Sequence, residues 1–322
     1  MLVLLGMAAA VVDVGKLVVA AQRAQDMADS SALAGATRLP YEDKARTTAL
    51  HTVLSNNDEG LGMPATCSTN DVTFYHPGQT VPGYGELGLY AYSITVTVHV
   101  PVEYGFARAL GINGAVALRS CTVMRAPAKG VPICTMWIAH TTPLNYGQPM
   151  SLLMADGPHY AEIPGSFGFL QSPPGCTATW SELLQGCNLS FEDIETSFVT
   201  VGDSLWATTG VDVGLFVKAL DRDVNGCGRL ERGTSGIYAA DTYTDYHADN
   251  PRIILIPLVT YIGGTGSNAE FVVERFGAFW LEAVNGGQKT ITGRFIDYTL
   301  PGGDPNGQAQ FDDRIFATSM LQ

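Results

Sequence analysis

The chain has 322 residues, 46% of them hydrophobic, with a formal charge of −13 and a mean hydropathy of +0.12. That much apolar surface excludes a disordered chain, and a pI near 4.7 excludes nucleic acid as a partner, because phosphate binding needs clustered Lys and Arg. The 36 glycines, often near Asn, Asp, Ser or Pro, imply many turns, as a β-rich body of short strands requires.

Residues 1–21, MLVLLGMAAAVVDVGKLVVAA, form an apolar run broken by Asp13 and Lys16. At ~1.5 Å per residue such a helix just crosses a ~30 Å hydrocarbon core. No positive charge precedes the apolar stretch, as a cleavable signal peptide would require. The helical pattern continues through residues 22–38, QRAQDMADSSALAGATR, where Ala24, Ala28, Ala32 and Gly35 share one face. Small residues at that spacing let another helix approach closely. One helix of roughly 36 residues, about 54 Å long, is expected, its outer half compatible with a membrane and its inner half docked on a folded body. A charge at membrane depth costs about 2.5–3.5 kcal/mol. Asp13 and Lys16, at i and i+3, either pair within the helix or meet charges on neighbouring copies and set their register.

The residues Ala10–Gly15 with Lys16 and Leu17, then Gln22, Gln25, Asp26, Ala28 and the run Asp29-Ser30-Ser31-Ala32-Leu33-Ala34-Gly35-Ala36, resemble TadE/TadG-like Flp (Tad) pilus-assembly proteins. The resemblance implies the plan of a type IV pilin, an apolar helix carrying a soluble head. It also implies that Met1 is a processed end left by a prepilin-type peptidase. Leu5 departs from the pattern, standing where many type IV pilins have Glu.

Pro40 is expected to end the first helix, since the residue before a proline avoids helical backbone. Ala45, Ala49, Val53 and Leu54 then mark a short amphipathic helix over 41–56, closed by Gly60, Gly62 and Pro64. A strand is expected at 71–76. Tyr92, Ile94, Val96, Val98 and Val100 alternate with Ser93, Thr95, Thr97 and His99, predicting a strand with one buried face. A helical turn or two follows at 103–111, and a return strand at Ala115–Met124. Arg125–Val131 reads as a linker. Beyond it, strands are predicted at Ile133–Ile138, Ser151–Met154, Gly165–Leu170, Ser197–Val201, Arg252–Ile262, Ala269–Glu282 and Lys289–Leu300, with short helices at Ser181–Leu184 and Val211–Leu220. The class is therefore α+β: a pilin-like apolar helix at 1–38, a small α+β unit at 39–126, and a β-rich surface domain at 127–322. Gly165-Ser-Phe-Gly-Phe-Leu, Val201-Gly-Asp, Thr209-Gly with Gly214, Pro251-Arg-Ile-Ile-Leu-Ile-Pro-Leu-Val, Phe276-Gly-Ala-Phe-Trp-Leu-Glu and Ile291-Thr-Gly-Arg-Phe-Ile-Asp-Tyr extend the resemblance to the same family's C-terminal half.

Catalytic patterns are missing. There is no G-x-S-x-G nucleophile, and Gly263-Gly-Thr-Gly-Ser lacks the lysine of a phosphate cradle. His51, His76, His99, His140, His159 and His247 are scattered, with His99 read as solvated. A non-enzymatic protein without a cofactor is expected, with one exception to weigh. Asp221, Asp223, Asn225 and the following Gly226 open a D-x-D-x-N-G calcium-loop pattern. Its acidic closer, Glu231, falls one residue early, Arg222, Arg229 and Arg232 oppose a cation, and an Asx-turn uses the same residues. Asp241, Asp245 and Asp249 read as a solvated acidic loop, and Asn188-Leu-Ser190 as a glycosylation sequon. Six dispersed cysteines, Cys67, Cys121, Cys134, Cys176, Cys187 and Cys227, suggest disulfides made outside the cytoplasm, with buried free thiols as the alternative. Sequence closeness favours Cys176 with Cys187 and Cys67 with Cys121, leaving Cys134 with Cys227.

These readings converge on a structural subunit of a Tad or type IV-like pilus, polymerising with copies of itself through the N-terminal helix. The resemblance implies residence in the inner membrane before assembly, export by the Tad secretion machinery, and an extracellular role in adhesion. The alternatives are a minor pseudopilin or membrane-anchored assembly factor, and a tethered calcium- or glycan-binding surface module.

Overall fold

The computed structural model describes residues 2–58, 64–155, 157–208, 213–300, 305 and 314–321, without the side chains of residues 2–9, 58, 110, 159 and 191. Gly60, Gly62, Thr209 and Val211 lie outside the described residues. The chain divides into two units, Met1–Ala126 with Gly307–Gln310 and Thr318–Gln322, and Pro127–Asn306 with Phe311–Ala317.

The first unit is built on one long helix, α1 (Leu2–Ala36), and a second, α2 (Glu42–Ser55). Ala45, Ala49 and Val53 of α2 are buried at i, i+4 and i+8, as the spacing predicts. Leu54 instead points outward and is 67% exposed. Strand β1 (Val72–Tyr75) and the two-residue strands β2 (Thr80–Val81) and β3 (Gly85–Glu86) lead to β4 (Tyr92–Glu103) and β5 (Gly114–Pro127). β4 lies between β1 and β5, antiparallel to both. Its alternation is realised: Ile94, Val96, Val98, Val100 and Val102 are buried in a cluster with α1 and α2. On its other face Thr95 meets Thr122 and Thr97 meets Ser120, each hydroxyl pair at 2.8 Å. Cross-strand hydroxyl pairs of this kind add to sheet stability.

The expected linker at 125–131 is strand instead. β5 runs through Pro127, and β6 (Gly130–Pro132) pairs antiparallel with β10 (Phe198–Thr200) in the second unit. This unit contains β7 (Met136–Ala139), β8 (Met150–Met154), β9 (Ser166–Phe169), α3 (Trp180–Gln185), α4 (Phe191–Thr196), β11 (Ser204–Trp206), α5 (Val213–Leu220) and α6 (Arg229–Gly233). The long strands β12 (Ile253–Gly263) and β13 (Glu270–Asn285) follow, then β14 (Thr290–Ile296) and β15 (Tyr298–Leu300). β16 (Ile315–Leu321) pairs parallel with β15 through Ile315, Phe316 and Ala317.

The central sheet of the second unit closes on itself. β13 pairs with β12 along Glu270–Trp280 and with β14 along Ala278–Asn285. The order β13-β12-β7-β9-β8-β14 therefore returns to β13, a six-stranded barrel in which β12/β7 and β8/β9 are the parallel pairs. Strand side chains alternate in direction. Ile254, Ile256 and Leu258 of β12 thus join Met136, Ile138, Phe167, Phe279, Ile291 and Phe295 in one buried cluster, closed by Phe216 and Leu220 of α5. The opposite faces supply Trp137, Val259, Phe271, Phe276 and Trp280 to a second cluster. The close fit needs glycine: a Cβ on Gly277 would stand 2.8 Å from the Phe295 ring, and one on Gly293 2.6 Å from the Phe279 ring.

The α+β class, the long N-terminal helix and the β-rich C-terminal region are thus observed. Among the described residues no helix is long and apolar enough to cross a membrane. From Ala10 onward α1 carries Asp13, Lys16, Arg23, Asp26 and Asp29, and of the apolar run expected to make the crossing, residues 1–9 have no described side chains.

Candidate functional site

α1 presents two unlike faces. Ala20, Ala24, Ala28, Ala32 and Ala36 are fully buried, with Met27 and Ser31 beside them, against α2 and β4. A Cβ on Gly35 would stand 2.8 Å from Ile94 Cδ1, 3.1 Å from the Ala45 carbonyl oxygen and 3.2 Å from Ala49 Cβ. The small-residue ladder of Ala24, Ala28, Ala32 and Gly35 therefore admits this chain's own α2 and β4. Toward the N-terminus the helix is bare: Val11, Val12, Val14, Val18 and Val19 are 71%, 47%, 59%, 59% and 48% exposed. Val11, Val14 and Val18 follow the 3-then-4 spacing of a coiled-coil seam, and Val12 and Val19 run one turn-pair apart beside it.

Asp13 lies among the bare valines but faces inward. It is 4% exposed, and its carboxylate accepts three backbone N–H bonds, from Gly105 at 2.8 Å, Phe106 at 3.0 Å and Ala107 at 2.6 Å. These amides open the short 3-10 turn Ala107–Leu110 in the β4–β5 hairpin. Lys16 reaches the same place, its Nζ 3.7 Å from where a Gly105 Cβ would be. Asp13 thus fastens the hairpin tip to α1, where the sequence offered only a helical pair or a charge on a neighbour. From Gly35 to Asp13 the helix rises about 33 Å. From Ile94 to Gly105 the chain extends about 36 Å, so α1 and β4 run antiparallel side by side.

The acidic motif in the second unit is differently disposed. Among the described residues no group of three or more His, Cys, Asp or Glu side chains is placed to hold a metal ion, so Asp221, Asp223 and Glu231 do not converge. The segment forms a turn closed by the Gly226 N–H on the Asp223 carbonyl at 2.9 Å, with Gln185 Nε2 donating to Asp223 Oδ2 at 3.4 Å. Asn225 is exposed on it, and Glu231 sits in α6.

Cys187 and Cys227 form a disulfide that ties this turn to the end of α3, with Asn188 of the sequon beside it. That replaces both expected partners of these residues, and Cys67, Cys121, Cys134 and Cys176 are free thiols. Burial pushes the thiols of Cys67 and Cys134 up to about 11 and that of Cys121 up to about 12, so all three stay protonated and unreactive. Next to the disulfide Arg229 is buried, its Nε donating to the Leu184 carbonyl at 2.6 Å and Nη1 to that of Pro251 at 3.0 Å. Arg232 Nη2 donates to the Gln185 carbonyl at 2.5 Å. The arginines of the acidic motif thus satisfy the last carbonyls of α3, a favourable place for cations. Burial pushes the Arg229 guanidinium down to about 10, still charged at neutral pH.

The histidines and the second acidic loop are tied locally. His99 faces Asp71 at 3.0 Å rather than being simply solvated, and His76 faces Glu42 at 3.1 Å. Asp241 is not a solvated surface group. Its side chain is 5% exposed, holds the His247 ring at 2.8 Å and accepts from the His247 N–H at 2.9 Å and Asn250 Nδ2 at 2.7 Å.

Residues 1–38 match a family model described as putative Flp pilus-assembly TadE/G-like. The match takes in the exposed valine face and ends at residue 38. No curated protein and no solved structure matches the chain.

Proposed function

We propose that this chain is a structural subunit of a Tad-type pilus, assembling with copies of itself through the exposed valine face of α1. The observation that carries the reading is a coincidence on one segment. The residues that match the pilus-assembly family also hold five solvent-exposed valines at the spacing of a helix seam. Covering those valines with neighbouring helices would contribute roughly 1 kcal/mol each, since about half of each side chain remains to be buried. In the same reading the apolar start of α1 lies in the inner membrane before assembly, the Tad machinery and a prepilin-type peptidase handle the chain, and the β-rich unit is displayed outside the cell for attachment. The role is non-enzymatic, and neither calcium nor another cofactor takes part.

The test is a pair of substitutions on the bare face, Val14→Asp with Val18→Asp, imaged by negative stain beside the parent chain. Filaments from the parent and single particles from the variant, with unchanged thermal unfolding of the variant, are expected. Filaments from both would overturn the proposal.

A further inference from the structure

Resting on that reading of α1, we infer that the tip of the β4–β5 hairpin is a second contact with the bilayer, a docking surface for anionic lipid. Phe106, Ile112, Val116 and Leu118 are 54%, 53%, 59% and 49% exposed. All four belong to the hairpin whose turn is closed by the Tyr104 N–H on the Asn113 carbonyl. Three backbone N–H bonds accepted by Asp13 hold that turn against the bare stretch of α1. Apolar groups are thus exposed on both elements, Val11, Val12 and Val14 on the helix and Phe106 and Ile112 on the hairpin. A helix seated on the Val11, Val14 and Val18 seam accounts for α1 but leaves the hairpin's side chains uncovered. Protruding aromatic and aliphatic groups on a turn suit insertion between headgroups.

Charge selects the kind of bilayer. In a chain of net charge −13, the exposed hairpin carries Arg108 and Arg119, with Lys16 close by on α1. Asp13, the nearest acid, is buried under three amides, which leaves Glu103 as the hairpin's exposed carboxylate. Arg108 also lines a shallow cleft of about 310 Å³ with Pro101, Asn113 and Val116, and Glu103 lines the same cleft. Cations beside inserted apolar residues favour anionic over zwitterionic lipid.

The experiment uses the full chain and vesicles of phosphatidylcholine alone or with phosphatidylglycerol. All four tryptophans, Trp137, Trp180, Trp206 and Trp280, lie in the second unit, so Phe106→Trp places a reporter at the tip. With brominated acyl chains, quenching of the introduced indole beyond that seen in the parent is expected. Phe106→Ser with Ile112→Ser should weaken co-sedimentation by roughly tenfold or more. Arg108→Glu should weaken it on the anionic vesicles and leave binding to phosphatidylcholine unchanged. A chain that co-sediments without quenching of the introduced indole overturns the inference and leaves anchoring by α1 standing. A chain that binds neither vesicle removes both.

Discussion

The two faces of α1 make separable demands, and Gly35 tests which face serves the chain's own fold. Gly35→Ala gains about 1 kcal/mol of helix propensity. Against that, the new methyl meets a movable atom, Ile94 Cδ1 at 2.8 Å, and two fixed ones, the Ala45 carbonyl oxygen at 3.1 Å and Ala49 Cβ at 3.2 Å. The fixed contacts oblige α2 to shift outward by a few tenths of an ångström, and overpacking of this kind costs about 1–3 kcal/mol. Alanine should therefore come out between neutral and about 2 kcal/mol destabilising. Gly35→Val loses most of the propensity gain and adds two more methyls, so about 3 kcal/mol is expected. For a unit of this size that lowers the melting temperature by roughly 10 °C. Calorimetry on the unassembled chain in mild detergent reads the shift directly. If Gly35→Val kept the parent's unfolding temperature while filaments vanished, the ladder would face a neighbouring copy, and the assignment of the two faces made above would be wrong.

Other outcomes follow from the same contacts. Asp13→Ala should leave the Gly105, Phe106 and Ala107 amides without their acceptor, and hydrogen exchange at those three positions should rise well above the parent's while exchange along β4 holds. Cys187→Ser removes a bridge spanning 40 residues, which by loop entropy stabilises the second unit by about 4 kcal/mol; non-reducing peptide mapping of the parent should find that bridge and four thiols that alkylate once the chain is unfolded. Asp193 accepts from the hydroxyls of Ser190 at 2.6 Å and Thr177 at 2.7 Å, bonds that outweigh its burial and hold its carboxyl below the ordinary range. A depressed carboxyl stabilises above its unfolded value of about 3.9 and loses that contribution as the pH falls. Asp193→Asn should thus melt below the parent at pH 7, and the gap should narrow under acid titration below about pH 4. Calcium added to the chelator-treated chain should leave its melting temperature where it was, and a rise would restore the loop at Asp221 as a metal site.

The parts of the fold that sequence anticipates are those decided by near neighbours. β4 announces itself because apolar and polar residues alternate over the nine residues from Tyr92 to Val100, and α2 because Ala45, Ala49 and Val53 share a stripe. Features that depend on distant partners stayed hidden. Asp13 meets amides 92 to 94 positions away, so a search within one helical turn offered Lys16 instead. The cysteine pairing failed for the same reason: Cys187 joins Cys227 across the segment that holds α4 and α5, where proximity in the chain pointed to Cys176. The Asp-x-Asp-x-Asn-Gly run is ambiguous by nature, because the motif records backbone shape and a turn needs that shape with or without a cation. Closure of the barrel was invisible too. β7 and β12 lie parallel through Ile138 and Leu258, and hydropathy along one strand carries no label for a partner so far off.

That closure matters for a molecule proposed to be held shoulder to shoulder with its siblings. Crowding turns any open backbone edge into an adhesive, and open edges zip together wherever neighbours are packed tightly. Here the long strands spend their amides and carbonyls on one another around a complete circuit, and β11, hanging from the end of β13, spans only Ser204–Trp206. Dense display then offers neighbouring bodies no long barrel edge to pair with.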